Sequence, residues 1–206
     1  MGKIAWSTAH QEFIISDHYY FWKLEKFIKE NLGKEVEEVS NLEDVLNDDY
    51  DTLIFNYPEI PFEEKDVEIV KKFLARGGKV GIFGYYKNED RIADTINTLI
   101  SHFGMKHNGD IVTDEVNNDE GDPLMIRADM VDGGEVVLAC TSTVEGGKPI
   151  VVGKNTSRSN QDKDLVLFAE KEIDGGKLIV GGTCVFWDNY SIDRGDNKKL
   201  IAYILS

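Results

Sequence analysis

The sequence is poor in cysteine, proline and cations, and it has no long hydrophobic run. Its two cysteines, Cys140 and Cys184, are too few for a disulfide framework or a cysteine-rich zinc site. Four prolines in 206 residues, without low-complexity sequence, exclude a disordered chain. No run reaches the roughly 18 apolar residues of a membrane-spanning helix. The first apolar stretch is also too short for a signal peptide, so we expect a cytoplasmic protein without membrane insertion.

Acidic residues outnumber basic ones by 38 to 23, which gives a formal net charge of -15. Nucleic acids and anionic membranes are bound largely through cations, so we expect neither as a partner. The sequence also lacks the Gly-x-x-x-x-Gly-Lys-Ser/Thr and Gly-x-Gly-x-x-Gly phosphate-binding motifs. We therefore expect no nucleotide and no other cofactor.

The first half of the chain alternates between strand and helix patterns. Apolar runs predict strands at residues 3–7, 36–39, 52–56 and 79–83, and apolar periodicity predicts helices at 19–32, 61–76 and 90–103. Strands separated by helices and short loops form parallel βαβ units. Residues 1–104 are therefore expected to form regular βα units of a flavodoxin-like three-layer α/β/α sandwich with a mostly parallel sheet.

The second half has many turn signals and few helix signals. Strands are predicted at residues 110–114, 135–140, 149–153, 165–172 and 177–182, with a polar, mobile loop at 155–163. We expect residues 105–182 to be a β-rich insertion and closing strands that add antiparallel pairs to the sheet. A C-terminal helix within residues 195–205 would complete a single domain over residues 1–206.

Several segments carry a resemblance to a known family. They are Asp17-His18 and residues 51–58, 62–66, 73–84, 103–118, 176–183 and 195–200. Together they resemble the non-catalytic class I glutamine amidotransferase-like domains. This group includes auxiliary proteins of gliding-motility-type ABC transporters and a related domain of an intraflagellar transport subunit. The resemblance spans nearly the whole chain and implies the fold more strongly than an activity.

The position of the family's nucleophile argues against catalysis. Catalytic relatives carry a cysteine in a Gly-x-Cys-x-Gly turn after a central strand, but the strand at 79–83 leads here into Gly84-Tyr85-Tyr86-Lys87. A tyrosine hydroxyl without an adjacent base is a poor nucleophile because its reference pKa is about 10. The resemblance therefore implies the fold of the family without its catalytic activity.

Two other clusters could carry chemistry. Cys184 could be a displaced nucleophile with His10 or His18 as its base, but a free cysteine is more often an inert buried residue. His10, Glu12, Asp17 and His18 could hold a metal ion, although their spacing matches no established motif. Solvation, or capping of the first helix by Ser16 or Asp17, is the favoured interpretation of this loop.

Polar and aromatic residues at the ends of the predicted strands suggest a binding site. Aromatic faces with directional hydrogen-bonding groups suit a sugar, a nucleobase or a protein interface. The candidate residues are Thr8, His10, Asn56, Tyr57, Tyr85, Tyr86, Trp187 and Asp188. The leading hypothesis is a non-enzymatic module that binds a small polar ligand, such as a carbohydrate, or a protein partner at this rim. The alternatives are a hydrolase or amidotransferase-like enzyme that uses Cys184 or the His10/His18 loop, and a structural subunit of an oligomer, including a homo-oligomer.

Overall fold

The computed structural model describes residues 2–47 and 49–206, and these form a mixed α/β fold around one large sheet. The first part of the chain contributes β1 (Lys3–Ser7), β2 (Val36–Val39), β3 (Tyr50–Asn56) and β4 (Lys79–Phe83). The helices are α1 (His18–Phe27), α2 (Glu64–Ala75), α3 (Ile92–Ile100) and α4 (Asn197–Leu205). The predicted α/β class is confirmed.

The regular structure between residues 105 and 181 consists of strands. Its elements are β5 (Lys106–His107), β6 (Val112–Thr113), β7 (Asn118–Asp119), β8 (Asp122–Met130), β9 (Glu135–Ala139), β10 (Val144–Glu145), β11 (Lys148–Gly153), β12 (Arg158–Ser159), β13 (Val166–Ile173) and β14 (Gly176–Gly181). Two small two-stranded sheets, β5 with β10 and β6 with β12, lie beside the large one.

The strand order of the large sheet is β2-β1-β3-β4-β14-β13-β11-β8-β7, with β9 paired to β8. Neighbours from β2 to β14 run parallel. The remaining neighbours run antiparallel, including the β13–β14 hairpin. Strand β14 therefore joins the parallel part to the antiparallel part, and the last strand in sequence lies in the middle of the sheet.

Local sequence explains why helix α2 forms where it does. Glu63 and Asp66 make a reciprocal capping box at its first turn, and Gly77, with φ of 89°, follows its end. Val70 and Phe73 recur at helical spacing and are fully buried. The described residues contain no helix with the length and apolar character that crossing a membrane requires.

The structure differs from the sequence-based expectations at several places, including helix α3, strand β8 and the loop at 155–163. Helix α3 begins at Ile92 rather than residue 90, because Asp90 and Arg91 have positive φ and cannot extend an α-helix. The nine-residue strand β8 was not predicted, although its second half alternates buried apolar residues with charged ones, the pattern of a half-buried strand. The loop at 155–163 contains the short strand β12, and its Ser157 and Ser159 are buried.

Candidate functional site

A cleft of about 490 Å³ opens at the carboxyl ends of β3, β4 and β14. Parallel strands deliver their following loops to one edge of a sheet, which is where open α/β folds bind ligands. Of the rim residues predicted from sequence, the structure places Asn56, Tyr57, Tyr85 and Asp188 in its lining. Its other lining residues are Phe13, Tyr20, Phe21, Met125, Ala139, Cys184, Val185, Tyr190, Ser191 and Arg194.

An aromatic row crosses this edge of the sheet. Its members, in order, are Tyr190, Tyr19, Tyr20, Phe13, Tyr57, Tyr85 and Tyr86, and the centroids of neighbouring rings lie 4.9–6.5 Å apart. Phe13 and Tyr57 stack at 4.9 Å, whereas Tyr85 and Tyr86 meet edge to face. Such contacts stabilise the row itself, in which Tyr57 is buried while Tyr19, Tyr20 and Tyr190 remain exposed.

Asn56 is the most informative polar residue of the cleft. It ends β3 and is fully buried, and it lines the cleft. Neither Nδ2 nor Oδ1 has a hydrogen-bond partner within the part of the chain that the structure describes. An unpaired buried amide costs about 1–3 kcal/mol, so this side chain favours a ligand with a complementary donor and acceptor.

Tyr57 follows Asn56 and has a strained backbone, with φ of 64°. Its hydroxyl donates a hydrogen bond to Asp90 Oδ2 over 2.8 Å. Burial and then the hydrogen bond to Asp90 raise the pKa of Tyr57, so the phenol stays neutral. A non-glycine residue with positive φ persists where its surroundings hold it, and such residues cluster at functional sites.

Tyr85 follows β4, where the resemblance predicts the nucleophile of catalytic family members. Its φ of -158° is ordinary extended backbone, so the sharp turn that exposes a nucleophile is not present at this residue. Burial and then a hydrogen bond with Cys140 raise the pKa of the Tyr85 phenol. The hydroxyl is therefore a weak nucleophile at neutral pH.

Asp188 shapes the far side of the cleft. Its Oδ1 accepts hydrogen bonds from the backbone N–H groups of Tyr190 and Ser191, at 2.8 and 3.2 Å. These bonds hold Tyr190 at the end of the aromatic row. Arg194 also lines the cleft, and its guanidinium is bound by Asp119 and Glu120 over 2.5 and 3.0 Å.

Cys184 is buried at the base of the cleft. Burial and then the nearby Asp188 charge raise the pKa of its thiol. Among the described residues, no hydrogen bond or ion pair joins Cys184 to a histidine. The group that reacts in thiol chemistry is the thiolate, and this environment disfavours it.

His10 lies apart from the cleft lining, in a buried cluster with Glu12 and Asp66. Its Nε2 lies 3.2 Å from Asp66 Oδ2, its Nδ1 lies 3.6 Å from Glu12 Oε1, and its ring stacks on Phe62 at 4.1 Å. Burial acts to lower the pKa of His10, but the bonds and charges of Glu12 and Asp66 outweigh it and raise the pKa. The cluster ties the loop after β1 to the first turn of α2.

The other predicted rim residues are dispersed. Thr8 follows β1, where its N–H bonds to Val39 O. Trp187 is fully buried against Trp6, with ring centroids 5.1 Å apart. Tyr86 ends the aromatic row outside the cleft lining, and Lys87 Nζ lies 4.8 Å from its ring centroid.

Of the candidate metal ligands, His10 and Glu12 lie together, whereas Asp17 and His18 make other contacts. Asp17 caps α1 by accepting a hydrogen bond from Tyr19 N over 3.1 Å. His18 is exposed, and its Nε2 lies 3.2 Å from Glu25 on the same helix. Within residues 2–47 and 49–206, no group of three or more His, Cys, Asp or Glu side chains is arranged to hold a metal ion.

Sequence reasoning missed several residues that line the cleft. Phe13 lies in the loop after β1, and Met125 and Ala139 come from β8 and β9 in the β-rich half. The signal for Phe13 was its position after the first strand, the same argument that selected His10. Nothing in the local sequence of Met125 or Ala139 places them in the cleft, because β8 lies four strands from β4 in the sheet and the approach depends on the tertiary fold.

Comparison with known proteins identifies relatives of this chain. No family model matches it. A protein of Aquifex aeolicus (strain VF5), described as an uncharacterized protein, is 45% identical over an alignment of 221 positions that covers 98% of this chain and 92% of the relative. The chain belongs to the same family as this Aquifex aeolicus protein.

Two further similarities concern an intraflagellar transport protein. The human Intraflagellar transport protein 52 homolog is 23% identical over 71% of this chain, and the match spans only 40% of that protein. The solved mmIFT52 N-terminal domain superimposes with a TM-score of 0.80 at 19% identity, covering 97% of this chain and 94% of that domain. The expected resemblance to an intraflagellar transport subunit is therefore confirmed at the level of the fold. The amidotransferase-like assignment stays a prediction.

A more distant likeness involves one part of a larger enzyme. A β-galactosidase from Halorubrum lacusprofundi superimposes with a TM-score of 0.61 at 11% identity, over all of this chain but 30% of the enzyme. At this identity the likeness concerns the fold alone.

Proposed function

We propose that this protein is a non-enzymatic binding module that holds a protein partner at the cleft and the aromatic row. The observation that carries the proposal is Asn56, whose buried carboxamide faces an aromatic cleft without a partner for either polar atom among the described residues. A side chain in this state is costly to the free protein and is stabilised by an occupant.

The aromatic row favours a protein over a small molecule. Tyr19 is 68% exposed and Tyr190 is 61% exposed, and they extend the row past the cleft. Exposed aromatic groups beside a concave site are typical of protein interfaces, where tyrosine is enriched. A small polar ligand such as a carbohydrate is the alternative occupant, since aromatic stacking and Asn56 would suit it as well.

The scaffold supports a partner-binding role as well. The parallel part has the order 2-1-3-4-5 when β14 is counted as the fifth strand, which is the order of flavodoxin-like three-layer folds. We infer that the whole chain is one such domain of the class I glutamine amidotransferase-like type. Its likeness to a transport subunit domain favours assembly over catalysis.

An enzymatic role is less well supported. Cys184 combines burial, a raised pKa and no histidine contact among the described residues, whereas nucleophilic catalysis needs an activated thiolate. An activity lost in Cys184→Ala but kept in Cys140→Ala would favour the enzyme instead.

Photo-crosslinking tests the proposal. The photoreactive residue benzoylphenylalanine replaces Tyr190 in the protein expressed in cells of its source organism. Val131, which is 59% exposed in the turn between β8 and β9, supplies the control position. We expect a discrete protein adduct from position 190 only. Filling the cleft by Ala139→Phe should abolish that adduct while the circular dichroism spectrum is retained.

The absence of an adduct at position 190, together with stabilisation of the purified protein by simple sugars in a thermal-shift screen, would favour the small-ligand alternative. An adduct that persists in Ala139→Phe would place the partner elsewhere on the surface.

A further inference from the structure

The charge around the cleft indicates what kind of group it accepts. Asp188 lines the cleft, and Asp90 lies at its rim on the Tyr57 hydroxyl. The cation of the lining, Arg194, is already engaged by Asp119 and Glu120. In a chain with net charge -15, this surrounding field attracts cations and repels phosphates and carboxylates.

The aromatic row adds a second preference for cations. The faces of tyrosine and phenylalanine rings attract a cation placed over them, and the attraction grows when water is excluded. Phe13, Tyr20, Tyr57 and Tyr85 all line the cleft. A planar guanidinium gains more from such faces than an ammonium does, because it stacks on them and is more weakly hydrated.

Two oxygen acceptors complete the site. Asp188 uses Oδ1 for the backbone N–H groups of Tyr190 and Ser191, and Oδ2 has no hydrogen bond within the described residues. Asn56 Oδ1 is buried and likewise unpaired among them. A guanidinium has several N–H donors in a fixed plane, so one such group can donate to more than one acceptor oxygen.

Building on the proposed function, we propose that the cleft anchors an arginine side chain of the protein partner. The guanidinium stacks on the ring faces and donates to Asp188 Oδ2 and Asn56 Oδ1. The methylene groups of the side chain pack on the apolar lining contributed by Met125 and Val185. Asn56 Nδ2 is left to donate to a carbonyl of the partner's main chain.

Two peptides that differ in one group test this anchor on the intact protein. Acetyl-Gly-Arg-Gly-amide carries the guanidinium, and acetyl-Gly-citrulline-Gly-amide replaces it with a neutral urea of the same shape. We expect the arginine peptide to shift the NMR signals of the lining tyrosines and to bind at least about tenfold more tightly. Equal affinities of the two peptides, or no binding of the arginine peptide up to about 10 mM, would overturn the proposal.

A matched pair of variants locates the binding. Asp188→Asn removes the charge but keeps an oxygen for the Tyr190 and Ser191 N–H groups. Asp174→Asn removes one charge in the β13–β14 turn, at the opposite end of β14. We expect about tenfold weaker binding of the arginine peptide in Asp188→Asn and a change below about twofold in Asp174→Asn. Equal losses in the two variants would show general charge attraction and would contradict the anchor.

Free arginine distinguishes the source of the cation. Binding of free arginine more tightly than the peptide would assign the cleft to a small molecule and would overturn the proposal. A cross-linked partner at position 190 combined with no preference for arginine over citrulline would leave the proposed function standing and remove the arginine anchor.

Discussion

The Tyr57 hydroxyl donates a hydrogen bond to Asp90 Oδ2 over 2.8 Å, and both residues have positive φ, 64° and 50°. Tyr57 follows β3, and Asp90 precedes α3, so the bond joins two strained segments at the edge of the cleft. Backbone conformations with positive φ are costly for residues other than glycine, and the hydrogen bond between Tyr57 and Asp90 helps to hold both residues in them.

Removing this bond should loosen the cleft wall. We expect Tyr57→Phe to lower the free energy of unfolding by about 1 kcal/mol, measured by urea titration, because one hydrogen bond to a carboxylate is lost without a cavity. Asp90→Asn and the double variant complete a thermodynamic cycle. A coupling energy below about 0.3 kcal/mol would show that the two residues act independently.

His107 should make the protein less stable in acid. Burial lowers the pKa of its fully buried imidazole from 6.5 to about 4, while its Nε2 lies 3.3 Å from Gly182 O and its Nδ1 accepts from Gly109 N. The unfolded chain takes up the proton first, so stability is lost as the pH falls from 6.5 to about 4. The loss should approach about 3 kcal/mol.

Urea unfolding of the wild type and of His107→Gln across this pH range measures the effect. We expect the variant to be less stable at pH 7.5 but to have a shallower decline towards acid. The exposed His102 supplies the control variant His102→Gln. Parallel curves for the wild type and His107→Gln would refute the assignment.

His10 should show the opposite dependence. Burial would lower its pKa, but Glu12 and Asp66 raise it, so the folded protein holds this proton more tightly than the unfolded chain. The stability it contributes is fully present below pH 6.5 and is lost as the pH rises through the folded value. His10→Gln should therefore cost more stability at pH 5.5 than at pH 9 in urea titrations. A cost that grows with pH would contradict this sign.

Asp110 should hold the polar loop at residues 155–163 in place. Its buried carboxylate accepts hydrogen bonds from Ser142 Oγ, Ser159 Oγ and Thr143 N, at 2.5, 2.5 and 2.7 Å. Burial acts to raise the pKa of Asp110, but these hydrogen bonds outweigh burial, and the pKa in the folded protein is lowered. The stability that Asp110 contributes is therefore lost as the pH falls through its pKa in the folded protein. We expect Asp110→Asn to cost about 3 kcal/mol and to speed amide exchange at Ser159.

The control for this variant is Asp164→Asn, which changes an exposed carboxylate near the same loop. Mass-spectrometric hydrogen exchange reads the loop directly. Unchanged exchange at residues 155–163 in Asp110→Asn would mean that strand β12, rather than the carboxylate, holds the segment.

The parallel part of the fold could be predicted because each element is marked locally. The capping residues around Glu63, the apolar spacing of α2 and the glycines after it all indicate the same helix. By contrast, β8 was missed although its buried Ile126, Ala128 and Met130 alternate with the charged Arg127 and Asp129. The two charges are paired with Glu135 and Lys154 in the folded protein. Such pairing is a property of the folded sheet and is not visible in a short window of sequence.

The candidate site could be predicted in part for the same reason. Asn56, Tyr57 and Tyr85 follow strands whose direction the sequence indicates, so their placement at one edge follows from topology. Trp187 follows the closing strand too, yet it turns inwards and packs on Trp6 and Phe186. Whether a residue at a strand end faces solvent or the core depends on the backbone of the loop, which sequence patterns do not specify.

The cleft draws its walls from distant parts of the chain, from Phe13 in the first loop to Arg194 just before the last helix. A chain emerging from the ribosome thus carries an incomplete pocket until the segment through Arg194 has been synthesised and β14 has inserted between β4 and β13. A truncated product that ends before β14 would leave β4 as an open sheet edge, so any binding at the cleft would have to wait until the fold is complete.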